Sequence, residues 1–346
     1  MMKYLVGECY MKNIKVLGAG FTGIDLIKGM AQSSISLGGT AANVLTILSQ
    51  LGFETTLLTA EYAGELGDWY KNALQVRQIT PIYFQKSKKH LSVIIEDINL
   101  DNNVHFFRTS CSKCKSSFIN VILPSDEKIK KLPSEINECN LLFYDRFSSG
   151  INYVANINQK GWNMYEPNAF RLYTNLLNGC RSSDIVKFSI ERIPDKICNQ
   201  LLKDLVDTRA KITIVTMGQK GLKFTIKKNG GWGEWNYLSS IENKNIVDTA
   251  GAGDWLTAGF LYELLSEYPK VQNVGQEKIA EKIKKAQLLA TAACDFVGAQ
   301  GMLKEPKGVE QLRLITEKDI CLIKDKPIKN RISCPICGLV QYSDDI

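Results

Sequence analysis

Asp248-Thr249-Ala250-Gly251-Ala252-Gly253-Asp254, running into the apolar stretch Trp255 to Leu265, decides how the rest of this chain is read. Small residues ahead of a helix leave amide N–H groups unpaired and unscreened, with the positive end of the helix dipole behind them. Such a turn accepts an anion, and phosphate fits it. As an ordinary glycine-rich cap, the string gives Asp254 no reason to be there, because a carboxylate in the first turn competes with the anion. As a base beside a phosphate, the same carboxylate takes the proton of an attacking hydroxyl.

A second glycine turn lies far upstream. Gly38-Gly39-Thr40-Ala41-Ala42-Asn43 opens a segment in which Ala41, Val44, Leu45, Leu48 and Leu51 recur at helical spacing, and Gly52 follows as a C-cap. Paired glycines let a ligand approach the backbone, and Asn43 in the first turn is expected to point outward. The competing reading is a tight turn with a plain cap. Further upstream, Gly18-Ala19-Gly20-Phe21-Thr22-Gly23 matches G-x-G-x-x-G. That fingerprint requires a helix at the third glycine and an acid some 20 residues on. Asp25 and Gly29 interrupt the helix, and Ala41 to Ile47 offers no carboxylate, so the nicotinamide reading is set aside.

Outward from these turns, strand and helix patterns alternate: Lys12 to Leu17, Thr55 to Thr59, Glu65 to Val76, Leu141 to Tyr144, Trp162 to Tyr165, Ile185 to Phe188, Pro194 to Thr208 and Ile212 to Thr216. The alternation predicts an α/β fold, a doubly wound, mostly parallel sheet flanked by helices. Ser33 to Leu37 and three strand-like segments between Ile82 and Thr109 (YFQKS, LSVIIED, VHFFRTS) break it and suggest a small β-sheet lid. The folding unit is expected over residues 11–319, with Met11 a candidate start. Residues 320–346 are expected as an appendage carrying a second cysteine pair.

The glycine-rich string resembles the second signature, D-T-x-G-A-G-D, of the ribokinase-like, phosphofructokinase B family of carbohydrate kinases. Gly38 to Gly52 with Tyr62 to Leu74 is similar to the first signature, and Glu166-Pro167-Asn168 with Arg171 is similar to D-x-N-x-x-R. The likeness runs from about Ile14 to Gly301 in the family's order. It implies ATP-dependent phosphorylation of a sugar hydroxyl, with Asp254 as base and Gly251, Ala252 and Gly253 as anion hole. It also implies Asp25, Gly39 and Asn43 on the sugar, and Lys187, Thr216, Gly218, Gly221, Gly298 and Ala299 about the nucleotide. Asp248 stands where many members ligate a monovalent cation such as K+. Dimerisation through the lid is a further implication. In place of the family's N-x-x-E, whose acid organises the water shell of Mg2+, Ser189 is followed by Ile190, Glu191 and Arg192, so the acid stands one place early. Trp255 after the base is bulkier than expected.

Ten cysteines are too few for a disulfide scaffold, yet Cys111/Cys114 and Cys334/Cys337 form two C-x-x-C pairs, more than random placement gives. Four thiolates in two knuckles suit one tetrahedral Zn2+; a redox pair or two unlinked pairs are the alternatives. With two histidines, imidazole triads have little room. A composition 45% apolar and 23% charged is that of a globular chain, and a net charge of +7 suits anionic small molecules without demanding nucleic acid. No apolar run reaches membrane-helix length, so a cytoplasmic location is expected. Two rivals stand beside the carbohydrate kinase. One is a nucleoside kinase, stacking a base on Tyr83, Phe84, Phe106 or Phe107; the other is a sensor that binds sugar or nucleotide without turnover.

Overall fold

The computed structural model describes residues 14–28, 33–99, 104–132, 136, 138–168, 172–228, 231–328, 332–334 and 337–342. The expected start at Met11 and Arg171 of the third motif lie outside the described residues.

Short, almost wholly apolar segments form the centre of the main sheet: β8 (Leu141–Tyr144), β9 (Trp162–Tyr165), β10 (Ile185–Ser189) and β11 (Ile212–Thr216). Their side chains are buried with little alternation, as strands covered on both faces require. The sheet continues through β1 (Lys15–Ala19), β4 (Glu54–Glu61) and β5 (Ile79–Lys86), and the order β11-β10-β9-β8-β1-β4-β5 is parallel throughout. β12 (Leu222–Lys228) adds antiparallel to β11, with β13 (Gly231–Trp232) and β14 (Asn236–Leu238) beyond it. Strand order reverses between β1 and β8, the kind of switch point where open α/β sheets bind ligands at the carboxyl ends of their strands.

Helices cover the sheet. α1 (Thr40–Gln50) is buried from Ala41 through Gln50 and packs on β1, β4 and α7 (Ala252–Glu267). Gly52, at φ +93°, ends α1 as the expected C-cap glycine, with Phe53 N–H closing back on Leu48 O at 3.0 Å. α7 is apolar around most of its circumference, which fits a helix sandwiched between α1 and α8 (Gln276–Ala293). α2 (Glu65–Val76) lies on β5, α3 (Asp126–Ile129) on α4 (Ser149–Ile157), and α4 on β8. α5 (Tyr173–Arg181), α6 (Asp195–Asp204), α9 (Gly301–Lys304) and α10 (Pro306–Thr316) complete the helices among the described residues.

The smaller sheet has the order β3-β2-β6-β7, formed by β2 (Gly23–Lys28), β3 (Ser33–Gly38), β6 (Ser92–Asn99) and β7 (Val104–Arg108). One expectation is corrected here. YFQKS lies mostly in β5 of the main sheet, because its strand continues the parallel register from Thr55↔Ile79. The segment after the G-x-G-x-x-G, read as an interrupted helix, is a central lid strand: Ile24 and Leu26 are buried between β3 and β6 while Asp25 points the other way. The stretch from Ile320, expected as an appendage, packs on the body through buried Ile320, Ile323 and Ile328. Past it, β15 (Ile332–Ser333) and β16 (Val340–Tyr342) form a hairpin.

Candidate active site

The polar cluster sits where the carboxyl ends of β1, β8, β9, β10 and β11 meet the first turn of α7. Gly251 takes φ +76°, and a Cβ there would lie 2.5 Å from Ala299 Cα and Cβ, so only glycine allows the two loops to touch. The turn is fixed by Ala252 N–H, which donates to Thr249 O at 3.2 Å. Ala252 was expected to line an anion hole together with Gly251 and Gly253; within the turn its N–H is held by Thr249 O. Gly253 is exposed, and its carbonyl accepts from Lys187 Nζ (3.2 Å) and Thr257 Oγ1 (3.0 Å), which fixes the peptide's orientation.

Asp254 is half-buried in the same turn, and its Oδ2 accepts from Asn43 Nδ2 at 2.7 Å. Burial, then the nearby charge of Glu166, pushes its carboxyl up to about 7, against the lowering pull of the Asn43 bond and the Lys187 ammonium. Asn43 was expected to face outward; it is 4% exposed because α1 runs beneath α7, and its side chain turns inward to the carboxylate. Glu166, after β9, binds Lys187 Nζ through Oε1 (2.5 Å) and Thr257 Oγ1 through Oε2 (2.6 Å). One buried ion pair therefore joins β9, β10 and α7.

Asp248, six residues before Asp254, has a different environment. It is 1% exposed, with Oδ1 accepting Ala250 N–H and Oδ2 accepting Gly298 N–H, both at 2.6 Å. Both oxygens thus tie the glycine turn to the Gly298-Ala299 loop. Trp255 secures that loop further, since its Nε1 donates to Ala299 O at 2.9 Å, and this explains the bulky residue after the base.

Asp25 faces the turn before α1. A Cβ at Gly38 would lie 2.3 Å from Asp25 Oδ1, so the absence of a side chain at Gly38 makes room for the carboxylate. Burial raises Asp25 to about 7, opposed by the Lys304 ammonium. Gly39, at φ +96°, passes close to Phe21 O. Thr216 ends β11, and Gly218 and Gly221, at φ +57° and +89°, shape the turn after it, closed by Met217 N–H to Gly221 O at 2.8 Å.

The displaced acid also finds a place here. Glu191 is exposed, and its Oε1 faces Gly218 at 3.8 Å from where a Cβ would stand. Arg192 turns away and donates to Asn168 O at 3.0 Å and to Asn168 Oδ1, while Asn168 Nδ2 donates to Thr40 Oγ1 at 2.6 Å. Arg192 therefore leaves the Glu191 carboxylate beside the Gly218 turn. Tyr83 and Phe84, read as lid aromatics, belong to β5 of the main sheet, which removes two of the four rings a base-stacking lid would use.

Reading the sequence missed a polar chain beneath the site. Arg77, fully buried, donates through Nε to Gln300 Oε1 (2.7 Å) and through NH1 and NH2 to Asp325 (2.6 and 2.9 Å). Gln300 Nε2 in turn donates to Asn43 Oδ1 at 2.8 Å. Asp325, Arg77, Gln300, Asn43 and Asp254 thus form one connected path. No local pattern marks it, because its bonded neighbours stand up to 257 positions apart. Glu96 on β6 was missed too: it is 2% exposed, and burial together with the charges of Asp248 and Asp25 raises it to about 8. A hollow of about 410 Å3 bordered by Glu138, Asn140, Asn158 and Lys160 opens at the opposite, amino-terminal ends of β8 and β9 and shares none of these groups.

Residues 193–306, which hold the β11 turn, the glycine string and the Gly298 loop, match the pfkB family carbohydrate kinase model. Fructosamine kinase FrlD of Bacillus subtilis is 22% identical over 293 residues, 83% of this chain and 93% of that protein. Ribokinase from Giardia lamblia superposes with a TM-score of 0.67 at 15% identity, covering 86% of this chain and 99% of that one. The ATP-bound fructokinase from Xylella fastidiosa superposes with a TM-score of 0.66 at 16% identity, covering 83% and 94%. Over residues 193–306 the chain is thus similar to the pfkB family carbohydrate kinases, and as a whole it shares the fold of these ribokinase and fructokinase structures.

Proposed function

We propose that the protein transfers the γ-phosphoryl group of ATP to a sugar hydroxyl, with Asp254 as the general base. The observation that carries this reading is the Asp254 carboxylate at the amino terminus of α7, held by Asn43 at 2.7 Å and raised to about 7. A base with a pKa near the working pH is about half ionised and still basic enough to take a proton. The hydroxyl donates to Asp254 and attacks in line. The amides of Gly251 and Gly253 and the Lys187 ammonium face the charge that spreads over the transferring group.

Asp25, Gly39 and Asn43 bind the sugar in this reading, and Thr216, Gly218, Gly221, Gly298 and Ala299 border the nucleotide. A magnesium ion bound with ATP would offset charge on its phosphate oxygens. Glu191, an exposed hard-oxygen donor on the nucleotide-facing turn, would hold its water shell. A monovalent-cation role for Asp248 is supported by the family resemblance alone; its geometry supports the loop tie. A lid-to-lid homodimer is supported by the two edge strands β3 and β7. Among the described residues no helix is long and apolar enough to cross a membrane.

The relatives named for fructosamine and fructose favour a ketose or an amino-linked ketose as acceptor. ADP release from ATP, measured across ketoses, fructosamines, aldoses, sugar phosphates and nucleosides, tests the proposal. Turnover highest on ketose-type acceptors is expected. Highest turnover on a nucleoside would overturn the substrate class, and no turnover on any acceptor, with binding retained, would overturn the kinase reading in favour of a sensor.

A further inference from the structure

Apart from the nucleotide and sugar cleft, four thiols converge. Cys111 and Cys114 follow the last lid strand, and Cys334 and Cys337 belong to the β15–β16 hairpin. Cys111 Sγ lies 3.5 Å from Cys337 Sγ and Cys114 Sγ lies 3.6 Å from Cys334 Sγ, and all four sulfurs fall within 4.8 Å of one another. These are not disulfides, whose sulfurs sit about 2.05 Å apart. Four thiolates on a tetrahedral zinc with bonds of about 2.3 Å have their sulfurs about 3.8 Å apart, and the observed spacings bracket that figure.

The surroundings fit a metal as well. Each pair sits on a tight turn: Lys115 N–H donates to Cys111 O at 3.0 Å with Lys115 at φ +60°, and Gly338 N–H donates to Cys334 O at 2.9 Å with Gly338 at φ +71°. The backbone amides of Ser116 and Leu339 are directed at Cys114 Sγ and Cys337 Sγ, the outer-shell bonds that orient thiolate ligands. Ser116 Oγ adds contacts of 3.0 Å to Cys114 Sγ and 3.3 Å to Cys334 Sγ. Cys321, also in the tail, is exposed and lies outside the cluster.

We propose that Cys111, Cys114, Cys334 and Cys337 bind one structural Zn2+ that staples the root of the lid to the carboxyl-terminal tail. On binding, the four thiols give up their protons to solvent and the sulfurs become four anionic ligands, so the site is coordinatively closed and performs no reaction of its own. The staple spans two anchored segments. On the lid side, Val93 N–H of β6 donates to Phe118 O at 3.1 Å, and the Ser92 hydroxyl donates to Asn120 O at 3.0 Å and accepts Asn120 N–H at 2.9 Å. On the body side, Asp325 pairs with Arg77 at 2.6 Å and Lys304 at 2.8 Å, and Trp69 Nε1 donates to Lys326 O at 2.7 Å. Zinc therefore links the lid to the body through the tail, closing a loop of 220 positions between Cys114 and Cys334.

The test is metal analysis of the full chain purified without chelator or added metal. About one zinc per chain is expected. Cys334→Ser should lower it at least tenfold and Cys321→Ser should leave it unchanged. Hydrogen exchange at 110–119 and 332–342 should quicken at least tenfold in Cys334→Ser while β8 to β11 stay protected. If that variant does not fold, cobalt replacing the metal in the wild-type chain decides: tetrahedral ligand-field bands with strong sulfur-to-cobalt charge transfer are expected. A metal-free folded chain, iron in place of zinc, Cys111–Cys337 or Cys114–Cys334 disulfides by non-reducing mass spectrometry, or a cobalt spectrum lacking thiolate charge transfer would each overturn the proposal.

Discussion

The body and the lid each bring a carboxylate to the cleft, both raised to about 7 by burial, yet they are held in opposite ways. Asp254 stands at the start of a buried 16-residue helix, fixed by Asn43, with Lys187 and Glu166 beside it. Asp25 stands on β2, the inner strand of a four-stranded sheet, in the space that Gly38 leaves free. On the proposed reading, proton transfer falls to the helix-borne group in the body and acceptor affinity to the strand-borne group in the lid.

Asp254→Asn is the severest way to break that division. It keeps shape and hydrogen bonding but cannot take a proton, so turnover should fall by about 10²–10⁴ with acceptor and ATP saturating. ATP affinity should hold or rise as a negative charge leaves the anion turn. Near wild-type turnover in a steady-state assay would place the base elsewhere.

A smaller effect is expected on the lid. Asp25→Ala removes a hydrogen-bonding acceptor at the sugar, so KM for the acceptor should rise by about tenfold, more than kcat falls. Equal losses in kcat and kcat/KM would show that Asp25 acts in the transition state, and the division between body and lid would fail.

The smallest effect is on stability and sharpens the body's side of the comparison. Asp254 binds its proton more tightly folded, at about 7, than at its ordinary 3.8, so between those values the native state holds a proton that the unfolded chain has lost. Raising the pH through that window costs the wild type stability, whereas Asp254→Asn has no such proton to lose. The melting temperature of the variant relative to wild type should climb from pH 4 to 7 by about 1–3 °C and then level, the gain kept small by cleft water. A flat difference across that range would mean that burial does not disfavour the charge.

Much of the body could be read from the sequence because its signals are local. The runs at β8 to β11 are apolar enough to need cover on both faces, and the expected bounds of α2, β8 and β9 agree with those found. The glycine string likewise carries its own chemistry within seven residues. The lid was only partly legible: Gly23 to Lys28 has a single charged interruption that reads as a broken helix until its partners on both sides are known. YFQKS reads equally well in either sheet, since a short strand does not reveal its neighbours. Glu191 and Arg192 show another limit. Spacing marked the acid as misplaced, but the Asn168 contact that turns Arg192 aside is made across 24 positions. Arg77, Gln300 and Asp325 carried no local signal at all.

The path from Asp325 to Asp254 has a consequence for the order in which the protein is made. A ribosome releases Arg77 long before Asp325, which lies 248 positions later. Until then the nascent fold must bury a guanidinium that lacks its carboxylate or leave α2 undocked, and an unmatched buried cation costs about 3–5 kcal/mol. Asn43 therefore receives its full support from beneath only once Asp325 has been made. Synthesis that stops short of Asp325 yields a polypeptide containing every signature residue of the cleft but lacking the strut beneath Asp254.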